Sequence, residues 1–167
     1  MAKKQQKTLQ DLFEDGLKDV YFAEKKILQA LKKMIKAAKS KEAVSAFKQH
    51  LTETEGQVER LEQVFEILEE KPKGKNCPAI LGIIEEGEEI MSEYKGSPAL
   101  DAGLIAAAQA VEHYEITRYG ALKAWARELG MKDAAKLLDE TLTEEIKTDK
   151  LLTNLAEGRA NPKAEAA

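Results

Sequence analysis

The sequence predicts an all-α protein, an antiparallel four-helix bundle with a long crossover that carries a short extra helix. Three observations lead there. Apolar residues recur at spacings of three and four along four long segments, the period of a helix that buries one face. The interior prolines are Pro72, Pro78 and Pro98, with Pro162 near the end, so residues 1–71 and 99–161 can run as uninterrupted helix. Of the 167 residues, 43% are hydrophobic, 34% charged and only 5% aromatic, which is poor material for a β-sandwich or barrel.

The first helix opens at Thr8, with Asp11 three residues on as a capping box. Its stripe is Leu9, Leu12, Phe13, Leu17, Val20, Tyr21, Ile27, Leu28, Leu31 and Ile35. Ser40 is the expected N-cap of the second, whose stripe is Val44, Phe47, Leu51, Val58, Leu61, Phe65 and Leu68. Lys71 to Asn76 reads as a loop and Ala79 to Tyr94 as the short crossover helix. The third long helix takes Ser97 as N-cap and Pro98 as its first residue, then carries Leu104, Ala108, Val111, Leu122, Trp125 and Leu129. Gly130 ends it. The fourth carries Ala134, Leu138, Leu142, Leu152 and Leu155. The short connections near Ala38-Lys39 and Gly130 make antiparallel neighbours, so the order is hairpin, crossover, hairpin. A single domain over residues 8–157 is expected between a flexible N-terminus, 1–7, and a small, polar, disordered tail, 158–167.

The net charge of −4 is no footprint of nucleic-acid binding. No apolar run approaches the roughly 18 residues of a membrane span, and the basic start lacks the apolar core of a leader. A lone cysteine, Cys77, implies no oxidising compartment and has no nearby base pattern for catalysis. A cytoplasmic protein is the expectation, with no nucleic-acid or membrane partner.

The apolar stripes are interrupted by acids. Glu24 stands in the seam of the first helix, and Glu145 in that of the fourth, with Asp149 one turn on. Glu112 and Glu115 share an inward face of the third at i and i+3. On the second, Thr54 fills the seam, with His50, Glu53 and Gln57 along an adjacent edge. Ionised carboxylates are almost never buried alone. Each long helix contributes an inward polar group near its midpoint, and two antiparallel hairpins bring the midpoints to one level. That pattern suits a carboxylate-lined binuclear metal site inside a bundle. The competing account is a metal-free ion-pair and hydrogen-bond network, for which Arg60 and Arg118 are available cations.

The segments His50 to Leu61, Ala106 to Ile116 and Glu140 to Glu145 resemble the YciE/YciF family of ferritin-like stress proteins, over about Thr8 to Leu155. The resemblance implies a rubrerythrin-like bundle that dimerises and is often labelled a ferroxidase. It implies a di-iron-type site with Glu24, Glu53, Glu112, Glu115 and Glu145 as ligands; the seam positions add His50, Gln57 and Asp149 as candidate further donors. The chemistry would be Fe(II) oxidation or peroxide handling during stress.

Glu112-x-x-Glu115 matches the rubrerythrin-like pattern, whereas Glu145 is followed at i+3 by Thr148, not His. His50 and His113 are the only histidines. With so few imidazoles, a metal site here is rich in carboxylate and amide oxygen. Hard oxygen ligands suit Mn, Fe, Mg or Ca, of which a binuclear Fe or Mn centre is the expectation. Glu115 and Glu145 should be buried within roughly 8 Å of each other, since metal–oxygen bonds run about 2–2.6 Å. His113 should face outward. Tyr21 (i−3 from Glu24) and Tyr119 (i+4 from Glu115) could each bond a liganding carboxylate or be plain core tyrosines. No catalytic residue is assigned.

Overall fold

Thr8 opens helix α1 (Leu9–Ala37) with the predicted capping box: its hydroxyl accepts the Asp11 N–H at 3.2 Å, and the Asp11 carboxylate accepts the Thr8 N–H at 2.7 Å. The computed structural model describes residues 6–167, so the expectation of a flexible N-terminus lies mostly outside the described residues. Ser40 caps α2 (Lys41–Ile67) through the Ala43 N–H at 3.2 Å. Cys77 precedes α3 (Pro78–Glu93), with Pro78 in its first turn where no N–H is needed. Then come α4 (Leu100–Glu128) and α5 (Lys132–Leu155), separated by Gly130 at φ +76°. Among the described residues there is no strand, and no helix is long and apolar enough to cross a membrane.

Two expectations need correction. The third long helix does not begin at Pro98. The Ser97 hydroxyl accepts the Ala99 N–H at 3.1 Å and its carbonyl the Leu100 N–H at 3.2 Å, so a tight turn occupies these residues and α4 starts after it. The tail is not without structure: a π-helical turn, Ala156–Ala160, leads into α6 (Asn161–Glu165). Ala160 is buried there, and Arg159 donates to Glu42 at 2.7 Å. Ala, Glu and Arg are strong helix formers, and Pro162 falls in the first turn of α6, where it is tolerated.

Helix α1 packs on α2 and α4, α5 packs on α4 and α2, and α3 lies across α4 and α1. Cross-helix pairs run in opposite directions in each seam. Tyr21 reaches Glu62 while Lys18 reaches Glu70, Tyr119 reaches Glu24 while Asp101 reaches Lys39, Lys123 reaches Asp139 while Gln109 reaches Asp149, and Arg60 reaches Thr141 while Thr148 reaches Glu53. Neighbours are therefore antiparallel.

The Asp101 carboxylate, 7% exposed, ties the start of α4 to the α1–α2 loop by accepting the Lys39 and Ser40 N–H groups at 2.8 and 2.7 Å. Asp101→Ala strands both donors. It should cost about 2–4 kcal/mol, roughly 5–15 °C in Tm, read from thermal melts; an unchanged Tm would refute the tie.

The apolar core is in two parts. One gathers Ile27, Leu31, Phe47, Leu104, Ile105 and Leu152; the other gathers Phe13, Leu17, Leu61, Phe65, Leu122 and Leu138. Between them lies a buried polar layer.

Candidate metal centre

The layer takes one to three residues from each long helix: Glu24 from α1, His50, Thr54 and Gln57 from α2, Glu112 and Glu115 from α4, Glu145 from α5, all at most 2% exposed. Their positions follow from helical period. On α2 the buried face is Phe47, His50, Thr54, Gln57 and Leu61, at steps of three and four. That differs from the stripe through Val44, Leu51, Val58 and Leu68, all only half-buried. The true seam carries three polar residues, so the apolar pattern points to the flanks.

His50, Glu112, Glu115 and Glu145 each offer one donor atom, and these four atoms lie within 4.8 Å of one another. Glu115 and Glu145 thus meet the spacing expected of them, buried at 1% and 0% exposure. His50 Nε2 stands 2.9 Å from Glu112 Oε1, yet the ring N–H direction does not make this a hydrogen bond, and both atoms lack a partner. We therefore regard it as a close approach of two donors. Two ligands at about 2.1 Å and a right angle on one cation stand about 3 Å apart. Both oxygens of Glu112 and of Glu115, Glu24 Oε2, Glu145 Oε2 and Gln57 Oε1 are likewise buried without partners.

Supports surround these groups. Tyr119 donates its hydroxyl to Glu24 Oε1, and Gln57 donates to Glu145 Oε1 and, at 3.1 Å, to Glu144. Thr54 bonds the His50 carbonyl at 2.8 Å. Tyr21 instead donates to Glu62 at 2.8 Å. Burial, with the charge of Glu145 added, pushes the Glu24 carboxyl up to about 8. Burial likewise pushes Glu112 up to about 8, with the charge of Glu24 adding to it. Glu115 and Glu145 stand well above the usual carboxylate range, first through burial, then through Glu145 acting on Glu115 and Glu112 acting on Glu145.

Two sequence candidates, Glu53 and Asp149, lie outside the buried layer. Glu53 is half-buried and accepts from Thr148 at 3.1 Å and from Gln49 at 3.0 Å. Asp149 is half-buried and bonds Gln109 at 3.0 Å, with Nε2 of the exposed His113 3.2 Å away. One helical step turns each from the inner face. The two candidate cations also point elsewhere: Arg60 pairs with Glu144 at 2.8 Å, and Arg118 lies over the Tyr114 ring at 5.3 Å. Sequence reasoning missed Arg60's role as the clamp of Glu144. The signal is weak, because Arg60 and Glu144 are far apart in the chain. Cys77 is a buried free thiol 3.2 Å from the Tyr114 hydroxyl.

Residues 8–165 match the family described as "Domain of unknown function (DUF892)". The chain belongs to that family. Within DUF892, it is 48% identical over 160 residues to protein YciF of Escherichia coli K12, covering 95% of this chain and 96% of that one. The crystal structure of the E. coli stress protein YciF superposes with a TM-score of 0.89 at 46% identity, over 93% of this chain and 99% of that one. YcfI of Rhodopseudomonas palustris, described as a candidate structural protein, gives 0.86 at 46% identity, over 92% and 98%. A Xanthomonas campestris protein at 21% identity, TM-score 0.76 over 95% and 98%, shares the fold.

Proposed function

We propose that this DUF892 member is a ferritin-like four-helix bundle with a carboxylate-rich binuclear centre for Fe or Mn, serving stress chemistry of the ferroxidase or peroxide-handling kind. A homodimer and a cytoplasmic setting belong to the same reading. One observation carries it: the interior acids and His50 converge with most of their polar atoms unpartnered. Among the described residues no lysine or arginine pairs with Glu24, Glu112, Glu115 or Glu145. A buried carboxylate left so costs several kcal/mol, and a cation is the compensation that this donor set suits.

His50, Glu112, Glu115 and Glu145 would hold one cation, and Glu24, with Glu115 beside it, would extend the set to a second. Bound iron or manganese supplies one-electron chemistry toward dioxygen or peroxide. The chain's own part is to orient and to exclude water. Tyr119 fixes the Glu24 carboxylate, Gln57 fixes Glu145, and the two apolar clusters close the layer on either side. The single imidazole leaves the donors harder than in a two-histidine centre.

Elemental analysis of protein purified without chelator, followed by anaerobic Fe(II) titration with an optical readout, tests this. Saturation near two metals per chain is expected. No uptake of Fe(II) or Mn(II) would leave the metal-free hydrogen-bonded network as the remaining account.

A further inference from the structure

Along the seam between α2 and α5 the polar side chains of α2 succeed one another by about a turn: Arg60, Gln57, Glu53, Gln49. At one end Arg60 is charged and half-buried, held by Glu144 at 2.8 Å and bonded to Thr141 at 2.7 Å. Gln57 is consumed by Glu144 and Glu145. At the other end Glu53 reaches the surface. Its two oxygens accept only from neutral donors, Gln49 and Thr148, and it has no ion-pair partner among the described residues. Glu53 stands one turn from His50, and Thr148 one turn from Glu145; Glu53 is also close enough for its charge to act on Glu112, whose two oxygens are buried and unpartnered. The other flank of α5 differs: there Asp149 has His113 beside it and Gln109 bonded to it. On the α1 and α4 side, α3 lies over the seam.

We propose that Glu53 is the loading residue of the centre: a half-buried carboxylate in the α2–α5 seam that draws a hydrated divalent cation from solvent and passes it inward, past Thr148, to His50 and Glu112. At the Arg60 end the guanidinium is already paired with Glu144 and Glu140, whereas at the Glu53 end a cation meets a carboxylate with no paired cation among the described residues. Removing a steering charge slows association without touching the ligands at the destination. Glu53 accepts from Thr148 at 3.1 Å and lies outside the four converging donors, and its charge, not that bond, does the steering. This inference rests on the metal reading above, and concerns how fast the site fills, not what fills it.

Anaerobic stopped-flow mixing with Co(II), followed by its visible absorption, separates rate from endpoint on the full chain. Glu53→Gln should slow loading about tenfold and weaken its dependence on ionic strength, with the final spectrum and stoichiometry as in wild type. Thr148→Val keeps the charge and should load no more slowly than wild type. Glu53→Gln loading at the wild-type rate overturns the proposal, as does a Thr148→Val protein slowed as much as Glu53→Gln. A Glu53→Gln endpoint short of the wild-type stoichiometry also overturns it, because Glu53 would then be a ligand. Failure of the wild type itself to bind Co(II) removes the metal reading, and this inference with it.

Discussion

Replacing Glu145 by Gln will leave the metal-free protein as stable as wild type or more so, and will abolish the stabilisation that added Fe(II) or Mn(II) gives. The carboxyl of Glu145 is fully buried beside Glu112, Glu115 and Glu24; its charge raises the cost of ionising Glu24 and Glu115, and Glu112 raises the cost of ionising Glu145. A neutral amide of the same shape relieves that, and its carbonyl can still accept from Gln57. The expected gain is roughly 1–2 kcal/mol, or a few degrees in Tm. In wild type, metal at a hundred times Kd adds about 2.7 kcal/mol; in Glu145→Gln that increment disappears. A metal-free ion-pair network predicts the opposite sign, a loss on the order of 3–5 kcal/mol from a stranded buried cation and no metal dependence. Four melting curves decide it: both proteins, each with chelator and with metal.

Chelated protein will lose stability as pH rises from about 5 to 8. Glu24 and Glu112 are held near 8 in the folded state, against an ordinary value of 4.5. In this window the folded protein keeps protons that the unfolded chain has released. Raised groups contribute their full stability below about 4.5 and lose it as pH climbs through about 8. The slope is about 1.4 kcal/mol per pH unit for each proton so held, shared among the coupled acids. Saturating metal displaces those protons, so the decline should flatten and metal affinity should rise with pH. Melts at fixed ionic strength between pH 5 and 8 measure both. Stability that instead rises across this range in chelator would show the acids to be ionised and paired.

The two hairpins were legible because Phe13, Leu17, Leu104, Leu138 and their neighbours obey the helical period and few polar residues dilute it. Glu24, Glu112, Glu115 and Glu145 stood out for the same reason, as acids in otherwise apolar seams. The face of α2 was harder to place, because His50, Thr54 and Gln57 occupy its buried seam and leave the apolar signal to half-buried flanks. Glu53 shows the limit: one residue from a seam position, it looks like a ligand by resemblance, and only the rotation of α2 shows that it lies off the inner face. The start of α4 was misplaced since Ser97 and Pro98 also suit a tight turn, and the helical tail depends on Ala160 and Arg159 finding partners far back in the chain.

The core is divided by its polar layer, and the donors are divided between the hairpins. Glu24 and His50 belong to α1 and α2; Glu112, Glu115 and Glu145 belong to α4 and α5. Contacts within each hairpin are local in sequence, and those across the long crossover are not, so the hairpins are expected to form before they close on one another. Repulsion among Glu112, Glu115 and Glu145 arises within the α4–α5 hairpin, and docking of α1 and α2 adds Glu24 and His50 to them. A cation taken up by this set would find its full complement of ligands only after docking, when His50 and Glu24 join. Its effect would then fall mainly on escape from the folded state, lengthening the native lifetime more than hastening its arrival.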